Sequence, residues 1–438
     1  MKVFKFGGTS VGSVENMRTV MNLIADGEQK LIVLSAMSGT TNNLVEISDY
    51  LTKKNKESAL TIISALEKKY YNVVFDLFTT KEMKDKGKRV LEERFEFIKS
   101  FTSGIFTEVG VRALLAQGEL ISTALFTMLL QESGYNALLL PALDFMKIDN
   151  DKSPDSNYIR QNLNGLLKSH ARADYYITQG FICRNETGEI DNLQRGGSDY
   201  TATLIGAAIN SEEVQIWTDI DGFHDNDPRF VENTKKVDNL SFNEASELAY
   251  FGAKILHPQT VLPAMMNDIP VRLKNTMNPP DPGTLITSES KTTGIKAVAA
   301  KDGITAIKIR SGRMLNAYGF IKNIFEIFEF FKTSIDMITT SEVAVSLTID
   351  DPKHLNEIIA ELKEYGNVEI DRNQSIVCIV GNMIAEEKGF AAKVFTALED
   401  IPIRMISYGG SRNNISLLVN TNDKKATLQA LSNKLLNT

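Results

Sequence analysis

The chain has 438 residues, of which 43% are hydrophobic and 24% charged, values typical of a globular protein of about three domains. Its net charge of −7 argues against nucleic acid as a partner, because nucleic-acid binding requires a basic face. The apolar runs are too short to span a membrane, the two cysteines are far apart, and the chain begins in a strand rather than a signal peptide. We therefore expect a cytoplasmic protein without a zinc site.

In chain order, the first two-thirds alternate between short apolar runs, typical of strands, and amphipathic stretches, typical of helices. Strands are predicted at 3–4, 31–34, 137–140, 175–178 and 214–217, and helices at 14–24, 58–75, 112–131, 157–167 and 200–209. This alternation predicts an α/β domain over residues 1–290, with a mostly parallel sheet between helices. The Lys- and Glu-rich residues 52–101 are interpreted as a solvated helical insertion.

Beyond a polar linker near residue 290, the chain repeats itself with an offset of about 70 residues. Gly319-Phe320 matches Gly389-Phe390, and Ile335–Ile338 matches Ile403–Ile406. The repeat predicts one supersecondary unit used twice, over residues 298–375 and 376–438. In the helix of the first copy we expect the apolar face to lie in the core; it consists of Ile321, Ile324, Phe325, Phe328 and Phe331.

The most informative motif is Lys5-Phe-Gly-Gly-Thr-Ser-Val-Gly12, between the first predicted strand and the first predicted helix. Glycines allow a backbone to approach an anion closely, and free N–H groups at a helix start point towards it. The motif therefore predicts a phosphate site with Lys5 as a point charge. Its spacing differs from the Walker and dinucleotide patterns, and an ordinary tight turn is the alternative.

Two further clusters follow in the predicted sheet domain. Ser35–Asn42 is a second loop of Gly and hydroxyl residues, able to hold phosphate or a carboxylate, or else to cap a helix. Gln117-Gly118-Glu119 places a glycine in a helical stretch, which indicates close approach of another group. Glu119 faces either a cationic ligand group or solvent.

Three clusters add charged groups. Arg195–Asp199 offers a guanidinium fork for a carboxylate or phosphate, with Asp199 as a helix N-cap in the alternative interpretation. Trp217–Gly222, with Arg229 beyond it, could hold the ribose, phosphates and Mg²⁺ of a nucleotide, or form an Asp-Gly turn. Phe251–Pro258 adds Lys254, and we expect His257 to be a packed residue at a helix end.

Together these motifs supply two anion-binding loops, two lysines, one arginine fork and several carboxylates, without an activated Ser, Cys or His nucleophile. Phosphoryl transfer needs this kind of inventory, because the protein contributes position and positive charge rather than a covalent intermediate. The four histidines lack metal-ligand spacing, so we expect no metal held by the protein alone.

The residues of these motifs and their order along the chain resemble those of the aspartate kinases, members of the amino acid kinase family. The resemblance covers essentially the whole chain and includes Lys5–Gly12, Ser35–Asn42, Gln117–Glu119, Arg195–Asp199, Thr218-Asp219, Phe251–Pro258, Lys274–Thr276 and the repeats, which resemble tandem ACT domains. It implies an amino acid kinase fold followed by two ferredoxin-like βαββαβ ACT domains. It also implies phosphorylation of the side-chain carboxylate of L-aspartate by ATP with Mg²⁺, the first step towards lysine, threonine, methionine and diaminopimelate.

The same resemblance implies roles for individual residues. Lys5 stabilises the transferring phosphoryl group, and Asp199 orients Lys5 and the reacting groups. The aspartate pocket comprises Arg195 for the α-carboxylate, Glu119 for the amino group, and Ser35, Thr41 and Ser198. The nucleotide residues are Lys5, Gly7, Gly8, Thr9, Ser10, Thr218, Asp219, His224, Arg229 and Lys254. The physical chemistry agrees, since the attacking carboxylate, with an ordinary pKa of about 3.9, is already ionised at neutral pH and needs no general base.

The first repeat resembles the effector site of lysine-sensitive aspartate kinases. The residues implied are Met314, Gly319, Phe320, Ser334, Ile335, Asp336, Ser341 and Glu342, of which Asp336 and Glu342 would meet the ammonium groups of lysine. The resemblance also implies that ACT repeats of two chains pair, giving a homodimer or a tetramer. Two positions depart from the family pattern: Ala317 replaces a Ser, which affects effector affinity, and His224 replaces an aromatic Tyr at the nucleotide site.

Two other functions stay open at this point. Another amino acid kinase, acting on acetylglutamate or glutamate, would share the Lys-Gly-Gly opening but typically lacks the tandem repeat. A non-catalytic amino acid sensor would use the repeats alone, and the presence of Lys5, Arg195 and Asp199 argues against it.

Overall fold

A computed structural model of the chain describes residues 1–170, 172–193, 196–252, 256–289, 294–315, 318–382 and 386–436. Contacts divide the chain into two compact units: Met1–Gly222 with Leu256–Ser288, and Phe223–Ile255 with Glu289–Thr438. The domain limits drawn from the sequence, 1–290, 298–375 and 376–438, stay a prediction. The units differ from them chiefly in assigning residues 223–255 to the same unit as the repeats.

The elements of residues 1–288 follow in chain order. The strands up to residue 222 are β1 (Lys2–Phe6), β2 (Lys30–Leu34), β3 (Ala137–Leu139), β4 (Tyr175–Gln179), β5 (Ile182–Arg184), β6 (Ile190–Asn192) and β7 (Val214–Thr218). The helices among them are α1 (Val14–Ile24), α2 (Thr40–Thr52), α3 (Lys56–Leu77), α4 (Lys81–Ser100), α5 (Glu108–Leu115), α6 (Gln117–Glu132), α7 (Ser156–Ser169) and α8 (Gly197–Ile209). Then come β8 (Asn239–Ser241), α9 (Phe242–Tyr250), α10 (Pro258–Met266), β9 (Val271–Asn275) and β10 (Thr284–Thr287).

Seven strands of the first unit lie in one sheet, in the order β3-β4-β2-β1-β7-β9-β10. All neighbours are parallel except β10, which runs antiparallel to β9. The predicted parallel α/β fold is confirmed. Because the strands are parallel and in register, the loops that leave β1, β2, β4 and β7 emerge at one edge of the sheet.

The core of this unit forms because the central strands are apolar on both faces and the helices on one. β2 is buried along its whole length, and α1 buries Met17, Val20 and Ile24. The predicted bounds of α1 are confirmed at both ends. At its start, the Ser13 side chain accepts a hydrogen bond from the Asn16 N–H and so serves as the N-cap.

Residues 52–101 form the predicted helices, but the interpretation as a solvated insertion is wrong for one face. Ile63, Tyr70, Leu91 and Phe95 of α3 and α4 belong to the main core cluster of the unit. The charged residues occupy the opposite faces, and this amphipathic division hides the buried stripe in the average composition.

One stretch, Glu108–Glu132, is long and apolar enough to cross a membrane by length and composition, contrary to the expectation from the sequence. It consists of α5 and α6, and 78% of its apolar window is buried inside the protein. Ile121, Leu125, Phe126 and Leu129 pack in the core cluster. The stretch is thus buried as a core helix is, which explains why it is hydrophobic on all sides.

In the second unit, the repeats form one six-stranded antiparallel sheet in the order β12-β13-β11-β14-β16-β15. Its elements are β11 (Gly294–Arg310), α11 (Phe320–Phe330), β12 (Ile338–Thr340), β13 (Ala344–Ile349), α12 (Leu355–Leu362), β14 (Asn367–Asn382), α13 (Phe390–Ala397), β15 (Ile403–Tyr408), β16 (Asn414–Asn420) and α14 (Lys424–Leu431). Each copy has a strand, a helix and two further strands in that order: β11-α11-β12-β13 in the first copy and β14-α13-β15-β16 in the second.

The two copies share their central strands. The first half of β11, from Gly294 to Lys301, pairs with the second half of β14, and its second half pairs with the first half of β14. Accordingly, Val298 packs in the core of the second copy, whereas Ile307 packs in that of the first. Long strands allow this, because one continuous ladder can serve two adjacent cores.

The predicted core face of α11 is correct only in part. Ile324 and Phe328 are buried, but Ile321 and Phe325 are exposed. The apolar stripe is wider than the surface that the sheet covers, so its edge faces outward in the single chain.

Candidate functional site

The glycine loop after β1 is held by the neighbouring strand ends. The Gly7 N–H donates to the Trp217 carbonyl at 3.1 Å, and the Ser38 N–H donates to the Gly8 carbonyl at 3.0 Å. A Cβ at Gly8 would lie 2.9 Å from the Ala36 carbonyl oxygen, closer than real Cβ atoms come. Gly8 is therefore needed for two loops to approach each other, and Thr9 is exposed beside it.

Lys5 is a buried cation at the end of β1. Its side chain is 11% exposed, and its Nζ lies 2.6 Å from Oδ1 of Asp199, whose side chain is 14% exposed. A Cβ at Gly7 would lie 3.5 Å from the same Nζ, so the ammonium is located over the glycine loop. The pair lies near the end of β1 and the start of α8. An anion bound there could interact with the Lys5 ammonium and with backbone N–H groups.

Asp199 belongs to the first turn of α8, since the helix begins at Gly197. Gly196, with φ of 74° in the left-handed region, is the N-cap and provides no side-chain cap. The alternative that Asp199 is a simple N-cap is therefore wrong. Its carboxylate pairs with Lys5. The resemblance implied that Asp199 orients Lys5, whereas the local sequence around α8 gives no means of predicting this pair.

Ser35 and Ser198 meet at the same edge of the sheet. The Ser35 hydroxyl donates to the Ser198 hydroxyl at 3.0 Å, and Ser122 of α6 donates to the Ser35 carbonyl at 2.8 Å. A Cβ at Gly180, which follows β4, would lie 2.4 Å from Ser198 Oγ. Sequence reasoning missed Ser122 and Gly180, because neither belongs to a recognisable local motif.

Glu119 lies in α6 against the loop after β2 and is only 4% exposed. Burial raises its pKa from the ordinary 4.5 to about 7, although the Ala36 N–H donates to the carboxylate and opposes the shift. Its Oε2 has no hydrogen-bond partner among the described residues. A buried carboxylate oxygen without a partner is unfavourable, so this position is suited to a cationic ligand group.

Gly118, the residue before Glu119, lies against the same loop. A Cβ at this position would lie 2.7 Å from the Ala36 Cβ and 3.2 Å from a Thr40 methyl group. The expectation that a glycine in this helix marks a close approach is confirmed, and the approaching group is the protein's own loop. Thr40 is fixed by Tyr70 of α3, with 2.8 Å between their hydroxyl oxygens.

The remaining hydroxyl residues differ in accessibility. Thr41 is exposed in the first turn of α2. Ser10 is buried, and its Oγ lies 2.7 Å from Thr276 Oγ1. Thr218 donates to the Asp219 carboxylate at 3.1 Å at the end of β7, where Asp219 is exposed. Ser10 is thus tied to the strand end at Thr276, while Thr41 and Asp219 are free to be reached from solvent.

Two of the nucleotide residues implied by the resemblance belong to the second unit. His224 Nδ1 lies 2.9 Å from Thr234 Oγ1. The Arg229 guanidinium donates twice to the Asp227 carboxylate, at 2.9 Å and 2.6 Å, and its side chain is 76% exposed. Arg195 and Lys254, together with the departure at Ala317, lie outside the described residues.

The predicted effector residue Asp336 has a buried side chain that is hydrogen-bonded within the second unit. Its side chain is 1% exposed, with Oδ1 at 2.9 Å from Lys301 Nζ and at 2.7 Å from the Tyr250 hydroxyl, which donates. Oδ1 is therefore already paired within the unit, whereas the buried Oδ2 has no hydrogen-bond partner among the described residues. Sequence reasoning missed Tyr250 and Lys301, because both are distant from Asp336 along the chain.

The other predicted effector residues lie around the start of α11 and the ends of β12. Gly319 is the N-cap of α11 with φ of 82°, and Phe320 is buried behind it. The rest are partly buried or exposed: Met314, Ser334, Ile335, Ser341 and Glu342. In the described ranges, no group of three or more His, Cys, Asp or Glu side chains could hold a metal ion.

Comparisons with known proteins agree with this architecture. A family model described as the amino acid kinase family matches residues 1–275, and one described as the ACT domain matches residues 377–435. Lysine-sensitive aspartokinase 3 of Escherichia coli is 34% identical over 99% of this chain and 98% of its own length. The chloroplastic aspartokinase 2 of Arabidopsis thaliana is 34% identical over 98% of this chain and 83% of its own length.

Solved structures are similar over the whole chain. The crystal structure of E. coli aspartokinase III in complex with aspartate and ADP, in the R-state, has a TM-score of 0.86 at 32% identity and covers 100% of both chains. The structure of that enzyme with lysine and aspartate, in the T-state, has a TM-score of 0.83 at 32% identity, also with 100% coverage.

Proposed function

This chain belongs to the amino acid kinase family, among its aspartokinases, and we propose that it transfers the γ-phosphoryl group of ATP to the side-chain carboxylate of L-aspartate, giving 4-phospho-L-aspartate. The observation that carries the proposal is the buried Glu119 carboxylate, whose Oε2 has no hydrogen-bond partner among the described residues. It lies beside the loop of Ser35 and Ala36, and the Ser35–Ser198 contact joins this loop to α8, where Asp199 pairs with Lys5. The relatives named aspartokinase support it over 98% and 83% of their own lengths.

The chemistry requires two anions to meet. The β-carboxylate of aspartate is ionised and is itself the nucleophile, so the main barrier is its repulsion from the γ-phosphate. Lys5 lowers this barrier by placing a desolvated positive charge where the transferring group lies, and Asp199 holds the ammonium there. Positioning converts the encounter into an intramolecular step.

The acceptor is recognised by charge and hydroxyl groups. Glu119 pairs with the α-ammonium group of aspartate, which gives Oε2 the partner that it lacks among the residues that the structure describes. Arg195 binds the α-carboxylate through its guanidinium fork, and Ser35, Thr41 and Ser198 bind the remaining oxygens. These roles rest on the match of the motifs with those of the aspartate kinases.

The nucleotide is held by the glycine loop of Gly7, Gly8, Thr9 and Ser10 and by Thr218, Asp219, His224, Arg229 and Lys254. Mg²⁺ usually takes one or two protein carboxylates together with substrate phosphates, and the exposed Asp219 at the end of β7 fits that requirement. When bound, Mg²⁺ neutralises charge on the phosphates.

A hydroxamate assay with MgATP and three acceptors tests the function. We expect turnover with L-aspartate and at most traces with L-glutamate and N-acetylglutamate. Activity confined to acetylglutamate or glutamate would identify another amino acid kinase. Absence of turnover with all three, combined with binding of an amino acid, would favour the non-catalytic sensor.

We further propose that lysine is the effector, since an E. coli relative is named lysine-sensitive and a lysine complex of that enzyme shares the fold. Lys301 and Tyr250 contact Oδ1 of Asp336, so the proposed ammonium group binds at Oδ2, which has no hydrogen-bond partner among the described residues. Titration of the activity with lysine is expected to give inhibition at millimolar concentrations or below. A flat lysine curve with inhibition by threonine would reverse this assignment.

A homodimer or tetramer formed through the ACT repeats accords with the exposed apolar side chains of the first repeat. They are Leu315, Tyr318, Ile321, Phe325, Ile338 and Val343. Such a patch is unfavourable in water and typical of an interface. Light scattering of the purified chain measures the mass and decides between the two assemblies.

A further inference from the structure

Two donors hold the same oxygen of Asp336. The hydroxyl of Tyr250, the last residue of α9, donates to Oδ1 at 2.7 Å, and the Lys301 ammonium of β11 donates to the same atom at 2.9 Å. The other oxygen, Oδ2, is buried and has no hydrogen-bond partner among the described residues. The protein thus uses one oxygen of this carboxylate, and the second is available to a ligand.

The backbone of Asp336 is fixed, so only its side chain is able to turn. The Asp336 N–H donates to the Thr348 carbonyl at 2.9 Å, and the Met337 N–H donates to the Thr348 hydroxyl at 2.9 Å. Turning the carboxylate out of its present orientation breaks the hydrogen bonds to Oδ1 from both Tyr250 and Lys301. Without the Tyr250 hydroxyl, the carboxylate is free to turn both of its oxygens towards the Lys301 ammonium, which leaves neither for a ligand.

Lys301 alone orients the carboxylate less well, because it serves two acids. Its ammonium also pairs with Asp350 at 2.8 Å. A lysine ammonium is a compact charge on a flexible stem, so it adapts to its acceptors. The Tyr250 hydroxyl is fixed to a rigid ring, and burial and the hydrogen bond to Asp336 raise its pKa, so it keeps its proton and stays a donor.

Space for a small ligand group lies beside this carboxylate, within the second unit. The space is a polar cavity of about 260 Å³, and its lining includes Glu247, Tyr250, Asp336, Met337 and Ser407. The carboxylates of Glu247 and Asp336 give the cavity negative charge, which favours a cationic group over an anion.

We propose that Tyr250 is a positioning residue for the effector: its hydroxyl holds Oδ1 of Asp336 and thereby presents Oδ2 to the ammonium group of the ligand. This rests on the proposed role of Asp336 in effector binding. Tyr250 acts through the carboxylate, so its loss weakens effector binding. Its described contacts, Asp336, Lys301 and the Phe251 ring, include no proposed substrate residue, so catalysis without effector is expected to be insensitive to Tyr250.

Calorimetric titration of the full chain with lysine tests this directly, because it requires no turnover. A hydrogen bond to a charged group contributes about tenfold or somewhat more in an equilibrium constant, and Lys301 retains part of the orientation. In Tyr250→Phe we expect Kd for lysine to rise about three- to tenfold, with kcat and both KM values measured without lysine within about twofold of the wild type. A Kd for lysine within about twofold of the wild type would overturn the proposal.

Tyr176→Phe is the matched control. The Tyr176 hydroxyl donates to the His170 carbonyl at 2.6 Å in the other unit, so this variant also loses one tyrosine hydrogen bond. It is expected to leave Kd for lysine unchanged. An equal rise of Kd in both Phe variants would show a general effect of losing a hydroxyl and would overturn the positioning role.

Asp336→Ala removes the carboxylate that Tyr250 orients. It is expected to weaken lysine binding at least about tenfold, and Tyr250→Phe added to it should cause no further loss. Undiminished lysine affinity in Asp336→Ala, or an equal loss from Tyr250→Phe with and without the carboxylate, would overturn the inference.

The same titration separates this inference from the proposed effector. A wild-type chain that binds no lysine overturns the effector proposal and the role of Tyr250 with it. Wild-type lysine binding that Tyr250→Phe leaves unchanged overturns the role of Tyr250 alone.

Discussion

Replacing Glu119 by Gln separates the contribution of this residue to function from its cost to stability. Glu119 is 4% exposed, and burial raises its pKa from the ordinary 4.5 to about 7. Each pKa unit corresponds to about 1.4 kcal/mol, so ionisation of Glu119 above pH 7 lowers the folding stability by about 3 kcal/mol. Gln has nearly the same shape and no charge, and it avoids this cost.

The direction of the pH effect follows from proton binding. Because the folded protein binds the Glu119 proton more tightly than the unfolded chain, this group stabilises the fold below its unfolded pKa. That stabilisation is lost as the pH rises from about 4.5 to about 7. The unfolding free energy of Glu119→Gln should therefore exceed that of the wild type by about 3 kcal/mol more at pH 8 than at pH 4.5.

Urea unfolding of the unliganded chain at several pH values measures this difference, and steady-state kinetics measures the functional cost. In the wild type, KM for aspartate should fall as the pH rises towards 7, because the ionised carboxylate pairs with the substrate ammonium. In Glu119→Gln, KM should rise about tenfold or more, since a hydrogen bond to a charged group is lost. An unchanged KM, or a stability difference independent of pH, would refute the reasoning.

Glu132→Gln in the same helix is a control of opposite sign. Burial raises the Glu132 pKa, but hydrogen bonds from Thr80 and Thr79 outweigh it and lower the pKa overall. Loss of that carboxylate should destabilise the chain above the unfolded pKa of Glu132, where the wild-type group is ionised. It should leave KM for aspartate unchanged.

Three further predictions follow from close contacts in the site. Lys5→Ala should lower kcat at least about 100-fold, with a native circular dichroism spectrum, because the charge that meets the phosphoryl group is lost; near-normal turnover would contradict its role. Gly118→Ala should lower the unfolding free energy by about 1–3 kcal/mol, because the added methyl group would meet the Ala36 side chain. The control Gly165→Ala adds its methyl group in open space and should not destabilise the chain. Gly180→Ala should displace Ser198 and raise KM for aspartate, and an unaltered KM would remove Ser198 from the pocket.

The sequence predicts the elements and their class well where the pattern is local. The alternation of apolar runs and amphipathic stretches gives the parallel sheet, and α1 is correct to the residue. The Lys5–Gly12 motif and its successors indicate phosphoryl transfer and a family, because their residue types alone carry the chemistry.

Patterns of composition mislead where burial depends on a partner. Residues 52–101 are rich in charge, yet one face packs in the core. Ile321 and Phe325 are apolar, yet they are exposed on α11. The stretch Glu108–Glu132 is apolar enough for a membrane, yet it is a core helix. In each case the sequence gives the hydrophobicity of a segment, whereas the packing of neighbouring elements decides which of its faces is buried.

The sequence by itself determined that Lys5 follows a strand and precedes a glycine loop, and that a carboxylate, Glu119, follows a glycine in a helix. Only the tertiary structure decided that Asp199 pairs with Lys5, that Glu119 is buried with a raised pKa, and that Asp336 is held by Lys301 and Tyr250. The physical reason is that propensity and periodicity act over a few residues. Charge pairing and desolvation depend on groups that come together only when the sheet and its helices pack.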